Sequence, residues 1–521
     1  MTHLARTLRV KDYFALGWGA MVGVGWLVVM DDWLLGGGSL GTVLGFAIGG
    51  TLLLPIGYVY SKLVEAMPDA AGEVAYTARV FPQSVSFATG WMMLLSYFIV
   101  CPWEAVAVGR IAGYIFPALD SHELYRVAGY PVYLPHVAIG LGLTALLTVL
   151  NYRGIRLSAI FQNWTVLGTL VLFVVFVGAG VAKGSTSNFP PLFTHTPFVS
   201  ILLVIQIVPY FMTGFESVTK TVEEASPDFR ARGFLIAIWM AIVVGIFFYT
   251  IVIFAVSYVA PWRTLTGAPF MTAVAFEHAI GSRWIVSVIL ATALLSLLKV
   301  FNGNFVGASH LLFAMGRRGL VDPRLGDVHS VNQTPARAVV CIGLGTAAFM
   351  FLGTSILVPI SEVGGFASAC GWTAACAAYL AMRPSALERG VAFVGILVGT
   401  MMMLMKIVPW CRGTSRNMNG SPLDAGWWPV QSLRSAGGMR FLPLRTLVYD
   451  LDAQLIRTKE LAHALSCGPM DRSVSGNLHL RPNPRSLLRY RHHPWPHHRW
   501  HRLALVFRRY RHSRWSHRGH R

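Results

Sequence analysis

Gly17-Trp18-Gly19-Ala20-Met21-Val22-Gly23-Val24-Gly25-Trp26 is apolar throughout and still carries four glycines. It lies inside a longer apolar stretch, 13–34, sufficient as a helix to cross about 30 Å of hydrocarbon at 1.5 Å per residue. Glycine costs a helix interior about 1 kcal/mol relative to alanine, so Gly23-Val24-Gly25 marks a place where such a helix can open. The plainer alternative is that a small-residue pair lets a neighbouring helix pack closely. The rest of the chain decides between the two.

Ten further apolar stretches follow, at 41–63, 87–115, 134–151, 158–182, 198–219, 234–258, 284–313, 337–358, 362–382 and 390–410. Over 521 residues the chain is 54% hydrophobic and only 13% charged, with a mean hydropathy of +0.54. That balance describes an integral membrane protein and excludes a soluble globular enzyme. The spans are expected to be helices, because an open sheet cannot satisfy its backbone in lipid and the runs are too long for barrel strands. The fold class is therefore an all-α membrane protein with eleven transmembrane helices.

Placing the N-terminus in the cytoplasm puts sixteen loop cations inside, among them Lys62, Arg153, Lys220, Arg317 and Arg337, against Arg126, Lys183, Arg263 and Arg283 outside. This asymmetry fixes the expected orientation. Span 1 then runs outward and span 6 inward, each the first of a five-span set, at 13–182 and 198–382. Span 6 is also interrupted, by Pro209 and by Gly214 ahead of Phe215-Glu216. Matched breaks in two oppositely oriented halves point to discontinuous helices around a mid-membrane substrate site in an inverted-repeat transporter. The matching favours opening over close packing.

The charge is unevenly placed. Residues 1–410 hold 23 Lys and Arg against 18 Asp and Glu, a net of +5, while residues 411–521 hold 20 against 5, a net of +15. The basicity therefore belongs to the tail, and a nucleic-acid partner is not expected of the body. The tail is rich in Arg, His and Pro and reads as disordered or frame-altered, since GC-rich codons out of frame give these residues. Cys101, Cys341, Cys370 and Cys376 lie in apolar stretches without CxxC or Cys/His ligand spacing, so buried free thiols are expected and no metal site. Met1 to Lys11 runs directly into span 1, so no cleavable leader is expected. There is no nucleophile elbow and no P-loop, and hence no expected enzyme activity or cofactor.

A substrate that carries both a carboxylate and an ammonium would be held in such a site without water. Unwound N–H groups at Gly23, Val24 and Gly25 suit its carboxylate, and carbonyls freed near Met21 and Pro209 to Gly214 suit its ammonium. Trp26 adjoins the break and is a candidate for stacking on the ligand. Ionisable groups inside the bilayer default to function. Glu216, just past the span 6 break, is placed to gate or couple transport, the alternative being a helix-terminal carboxylate paired with a cation. Lys299 in span 8 is either a coupling group or a paired, snorkelling lysine. Glu104 in span 3 faces either a substrate amine or Arg110, the structural pair being preferred.

Phe211-Met212-Thr213-Gly214-Phe215-Glu216, followed by Val222-Glu223-Glu224-Ala225-Ser226-Pro227, resembles the sixth-span signature of the amino acid, polyamine and organocation permeases. Leu311-Leu312-Phe313-Ala314-Met315-Gly316-Arg317-Arg318-Gly319-Leu320, with Asp322-Pro323 and Thr334-Pro335, resembles that family's segment after span 8. The resemblance covers residues 9–410. It implies a LeuT-type fold of two inverted five-helix repeats with further helices, and ligand binding at the two breaks by Gly23, Val24, Gly25, Trp26, Phe211, Thr213, Gly214 and Phe215. It also implies secondary transport of an amino acid or related amine across the cytoplasmic membrane, as a proton symporter or antiporter. Two departures stand out: no twelfth span is read in this chain, and His310 stands where many members have Arg. Some relatives carry a lysine in span 5 in place of a sodium ion. Val166-Leu167-Gly168-Thr169 has none, which leaves Lys299 as the candidate for that role. The competing class is a non-transporting product, either a C-terminally disrupted permease or a membrane amino-acid sensor.

Overall fold

The glycine break opens the first span into two helices. α1 (Val10–Met21) stops at Met21, Val22 turns to extended backbone, and α2 (Gly25–Val28) restarts after Val24. The computed structural model describes residues 4–407 apart from 128, 269 and 354–356, so the expectations for the basic tail lie outside the described residues.

α3 (Met30–Thr51) contains a bend at Gly38, where φ is 74°. A Cβ there would lie 2.6 Å from the carbonyl oxygen of Leu192, so only glycine admits this approach. α4 (Leu54–Ala66) completes span 2, a short helix α5 (Glu73–Ala78) follows, and α6 (Gln83–Phe98) with α7 (Val100–Ile115) forms span 3. An antiparallel hairpin, β1 (Glu123–Val127) and β2 (Tyr130–Tyr133), leads into α8 (Leu134–Arg153) and α9 (Ile155–Val181).

The second half begins with a span broken twice. α10 (Pro197–Ile205) and α11 (Val208–Phe211) are followed at Gly214 by a 3₁₀ helix over Phe215–Glu224. Then come α12 (Arg232–Val259), α13 (Met271–Ile280), α14 (Arg283–Arg317), α15 (Ala336–Met350), α16 (Leu357–Ala381) and α17 (Ala386–Ile407).

Among the described residues nine helical segments are long and apolar enough to cross a bilayer. The difference from eleven has two causes. Span 1 is split by its break, and α15 is an apolar helix of 15 residues. Trp164, Val174, Phe247 and Leu397 are exposed on the outer surface, as lipid-facing side chains are. Trp18, Trp26, Trp33 and Trp372 are fully buried instead. Cys101 and Cys376 are buried as expected, whereas Cys341 is exposed and Cys370 half-buried.

The two broken spans share neighbours: α3 lies against α10 and α12, and α12 against α1. α8 packs on α7 and α15, and α14 on α7 and α9. α1 also rests on α9 and α14, which places the break of span 1 against the helices of both halves.

Candidate functional site

The two breaks touch. Gly214, with φ of 125°, lies so near the first span that a Cβ on it would stand 2.7 Å from both the Ala20 carbonyl carbon and the Met21 nitrogen. L-residues rarely adopt this backbone, and a side chain would have no room, so both facts require glycine here.

Interrupting α1 releases carbonyls that a continuous helix would use internally. The protein's own donors take them. Ser296 Oγ donates to the carbonyls of Val22 (3.0 Å) and Gly23 (2.9 Å), and Lys299 Nζ donates to Val22. Asn304 donates to Ala20 (2.9 Å), while Tyr249 Oη reaches the Met21 and Phe211 carbonyls at 3.4 and 3.1 Å. The Lys299 ammonium also stands 4.5 Å from the Trp18 ring centroid, in cation–π range. Gln162 of α9 ties Ala15 to Lys299 through their carbonyls, at 3.2 and 2.9 Å.

The second break is held by its own carboxylate. Glu216 accepts a hydrogen bond from Thr213 Oγ1 (2.7 Å) and one from the Gly214 N–H (3.0 Å). Thr213 in turn accepts from Ser368 Oγ of α16 (2.9 Å), which also donates to Ser96 Oγ of α6 (3.1 Å). Glu216 thus fastens the start of the 3₁₀ helix through a threonine and a main-chain donor, and among the described residues its hydrogen-bond partners include no cation. Both contacts restrain Gly214, whose conformation the break needs.

Between the breaks lies a cavity of about 20 Å³, room for about one water. Gly23, Val24 and Gly25 form one wall, Phe211 and Thr213 another, and Trp103, Glu104, Tyr210 and Val300 complete it. The site is contracted. A Cβ on Gly25 would come 2.3 Å from Cε1 of the Phe211 ring, so that ring occupies the space beside the glycine.

The expected residues separate into those lining the cavity and those supporting it. Gly23, Val24, Gly25, Phe211, Thr213 and Glu104 line it. Gly214, Glu216 and Lys299 hold the breaks. Trp26 does not face the cavity: its ring stacks on Phe176 at 5.4 Å and meets Phe248 edge-on, so it is a packing residue. Phe215 likewise packs against Tyr60 and Trp372. The preferred pairing of Glu104 with Arg110 is absent. Six residues apart on α7 they point about 120° away from each other, and Arg110 is exposed beside His136 and Tyr133. Ser296, Tyr249 and Asn304 were not foreseen. Ser296 was discoverable, since it lies three residues before Lys299 on the same helix face.

Polar contacts cross the end of the molecule that carries the N-terminus. The Thr7 and Leu8 N–H groups both donate to the Glu224 carbonyl (2.9 Å), and Ser226 N–H donates back to Leu8. Lys220, counted among the loop cations, is instead fully buried against Glu73, which also accepts from Tyr60 Oη at 2.7 Å. His310 Nε2 lies 3.2 Å from Glu224 Oε2, and Arg317 and Arg318 pair with Glu223 and Asp69.

Comparison with known proteins agrees with this architecture. The methylthioribose transporter and the branched-chain amino acid permease of Bacillus subtilis are each 25% identical, over 67% and 69% of this chain and 76% of their own length. The tryptophan permease of Saccharomyces cerevisiae is 23% identical over 74% of this chain and 64% of its own. The crystal structure of MhsT in complex with L-phenylalanine superposes with a TM-score of 0.54 at 13% identity, covering 78% of this chain and 99% of that one. The fold is thus the LeuT type, an all-α membrane architecture of inverted repeats. The relatives are permeases and transporters rather than enzymes. The amino acid permease family model matches residues 8–410, and the chain belongs to the amino acid permease family.

Proposed function

We propose that this multi-pass membrane protein is a secondary active transporter, moving an amino acid or related amine across the cell membrane by alternating access around the two breaks. The observation that carries the reading is the contact between them. Gly214 of one broken span rests on Ala20 and Met21 of the other, and the cavity beside this contact is lined from both. A rocking of the broken spans against α7 and α14 would open that cavity to either side in turn. The cytoplasmic face is the one carrying the N-terminus, on the charge asymmetry of the loops.

Coupling is to protons rather than to sodium. Lys299 sets an ammonium on the Val22 carbonyl next to Ser296, so the chain supplies its own cation at the opened main chain. A lysine there is able to release and regain a proton as the helices move, whereas a sodium ion would have to displace it. Amino acids on the relatives' side include branched-chain ones and tryptophan, which supports an amino acid substrate without choosing among them. Uptake of radiolabelled amino acids into proteoliposomes tests the reading. Accumulation is expected to rise with an imposed inward proton gradient and to be indifferent to sodium. Strict sodium dependence with no response to the gradient would contradict the coupling, and binding without any uptake would favour a sensor.

A further inference from the structure

The ligand's ammonium needs an acceptor, and on the span 1 side the main chain has little to offer. From Ala20 to Val24 every carbonyl lies within hydrogen-bond reach of a donor, with Ser296 sharing its one hydroxyl proton between two of them and Tyr249 sharing its own between Met21 and Phe211. Asn304, Tyr249, Lys299 and Ser296 serve the first four, and the Leu27 and Val28 N–H groups serve Val24. On the span 1 side of the arrangement expected from sequence, which also drew on carbonyls of Pro209 to Gly214, an ammonium therefore competes with the protein's own donors for the main chain.

Glu104 stands beside those carbonyls. It is 3% exposed, and its Oε2 finds no hydrogen-bond donor among the described residues. Its other oxygen, Oε1, lies 3.1 Å from the position a Cβ would take on Gly23, so the carboxylate sits directly over the break. Lys299, the cation whose field reaches it, is engaged with Val22 and Trp18 and is not within 4 Å. A carboxylate oxygen buried without a donor is strongly unfavourable. Away from the span 1 break the cavity next to it is walled by Val100, Trp103, Tyr210, Phe211, Thr213 and Val300, most of which present apolar and aromatic surface. Such a wall receives an apolar body and, at its aromatic faces, tolerates a cation.

We propose that Glu104 is the acceptor for the ligand's ammonium, so that the site selects primary ammonium compounds with an apolar body and treats the carboxylate of an amino acid as a secondary determinant. The proposal rests on the transporter reading and deepens it by naming the group that carries recognition.

The test uses the full chain, purified and reconstituted, with equilibrium binding of a panel of radiolabelled amino acids. For each one that binds, its decarboxylated amine and its deaminated acid are used as competitors. The amine is expected to compete within about tenfold of the amino acid, while the acid loses about a hundredfold or more, the loss typical of one partner of a buried charge pair. Glu104→Gln is expected to weaken amino acid binding by a similar factor, and Glu104→Asp to retain part of it. Binding to Glu104→Gln within roughly threefold of the natural chain, or an acid that competes as well as the amine, overturns the proposal. If Glu104→Gln fails to fold, the competitor comparison on the natural chain decides alone. If neither an amino acid nor its decarboxylated amine, radiolabelled in turn, binds the natural chain, the transporter reading falls and this proposal with it.

Discussion

Gly214 and Met21 meet main chain to main chain, at a distance that leaves 2.7 Å between the Met21 nitrogen and any Cβ placed on Gly214. Two segments nearly two hundred residues apart thus share one point of contact, and the unwound stretches on either side form the cavity. Gly214→Ala would impose both a left-handed backbone on alanine and a main-chain clash. The strain alone is worth about 1–3 kcal/mol. The variant is expected to lose transport and to melt at a lower temperature, and an alanine variant with normal uptake would show that the breaks need not touch.

Gly25→Leu is expected to abolish ligand binding while leaving membrane insertion intact. The space beside Gly25 is filled by the Phe211 ring, so a larger side chain displaces that ring into the cavity. Overpacking of this kind costs about 1–3 kcal/mol, and a ring forced into so small a cavity leaves the ligand no room. Equilibrium binding to the purified variant reads the effect, and an unchanged affinity in a folded protein contradicts it.

Lys299→Ala removes the ammonium from the Val22 carbonyl and leaves Ser296 as its remaining donor. Accumulation driven by a pH gradient is expected to fall to the level seen without one, while exchange of labelled for unlabelled substrate persists. Proteoliposome uptake and counterflow measured side by side separate the two. A retained response to the gradient would remove Lys299 from coupling.

Lys220 and Glu73 are both fully buried, so neutralising one leaves the other uncompensated. Each of Lys220→Met and Glu73→Gln is expected to destabilise the protein by about 3–5 kcal/mol. The double variant is expected to lose much less than the sum of the two, which a double-mutant cycle on thermal melting detects. Additive losses would mean the two side chains act independently.

Much of this architecture was legible in the sequence because glycine spacing and span length are local properties. Gly23-Val24-Gly25 was read as the break, and the helices stop at Met21 and resume at Gly25. What escaped was tertiary. That Ser296, Lys299 and Asn304 reach the same few carbonyls depends on how α14 lies against α1, which no single segment records. Trp26 adjoins the break in sequence but points away from the cavity, onto Phe176, because a helix restarting at Gly25 sets its own phase. The pairing of Glu104 with Arg110 was an error of helical phase, and the spacing of six residues already argued against it. Lys220 lies beyond the span read for the sixth helix, where a cation is normally solvated, and only its contact with Glu73 explains its burial.

The central claim is that the two breaks form one site opened alternately to the two sides of the membrane. Its most direct test places a single cysteine at Val24 in a chain whose six native cysteines are replaced by alanine, and labels it with a membrane-impermeant thiol reagent from each face in turn. The account predicts labelling from both faces, with the balance between them shifted by a proton gradient and the reaction slowed by the transported amino acid. Labelling from one face alone, with a rate that no amino acid alters, would contradict it.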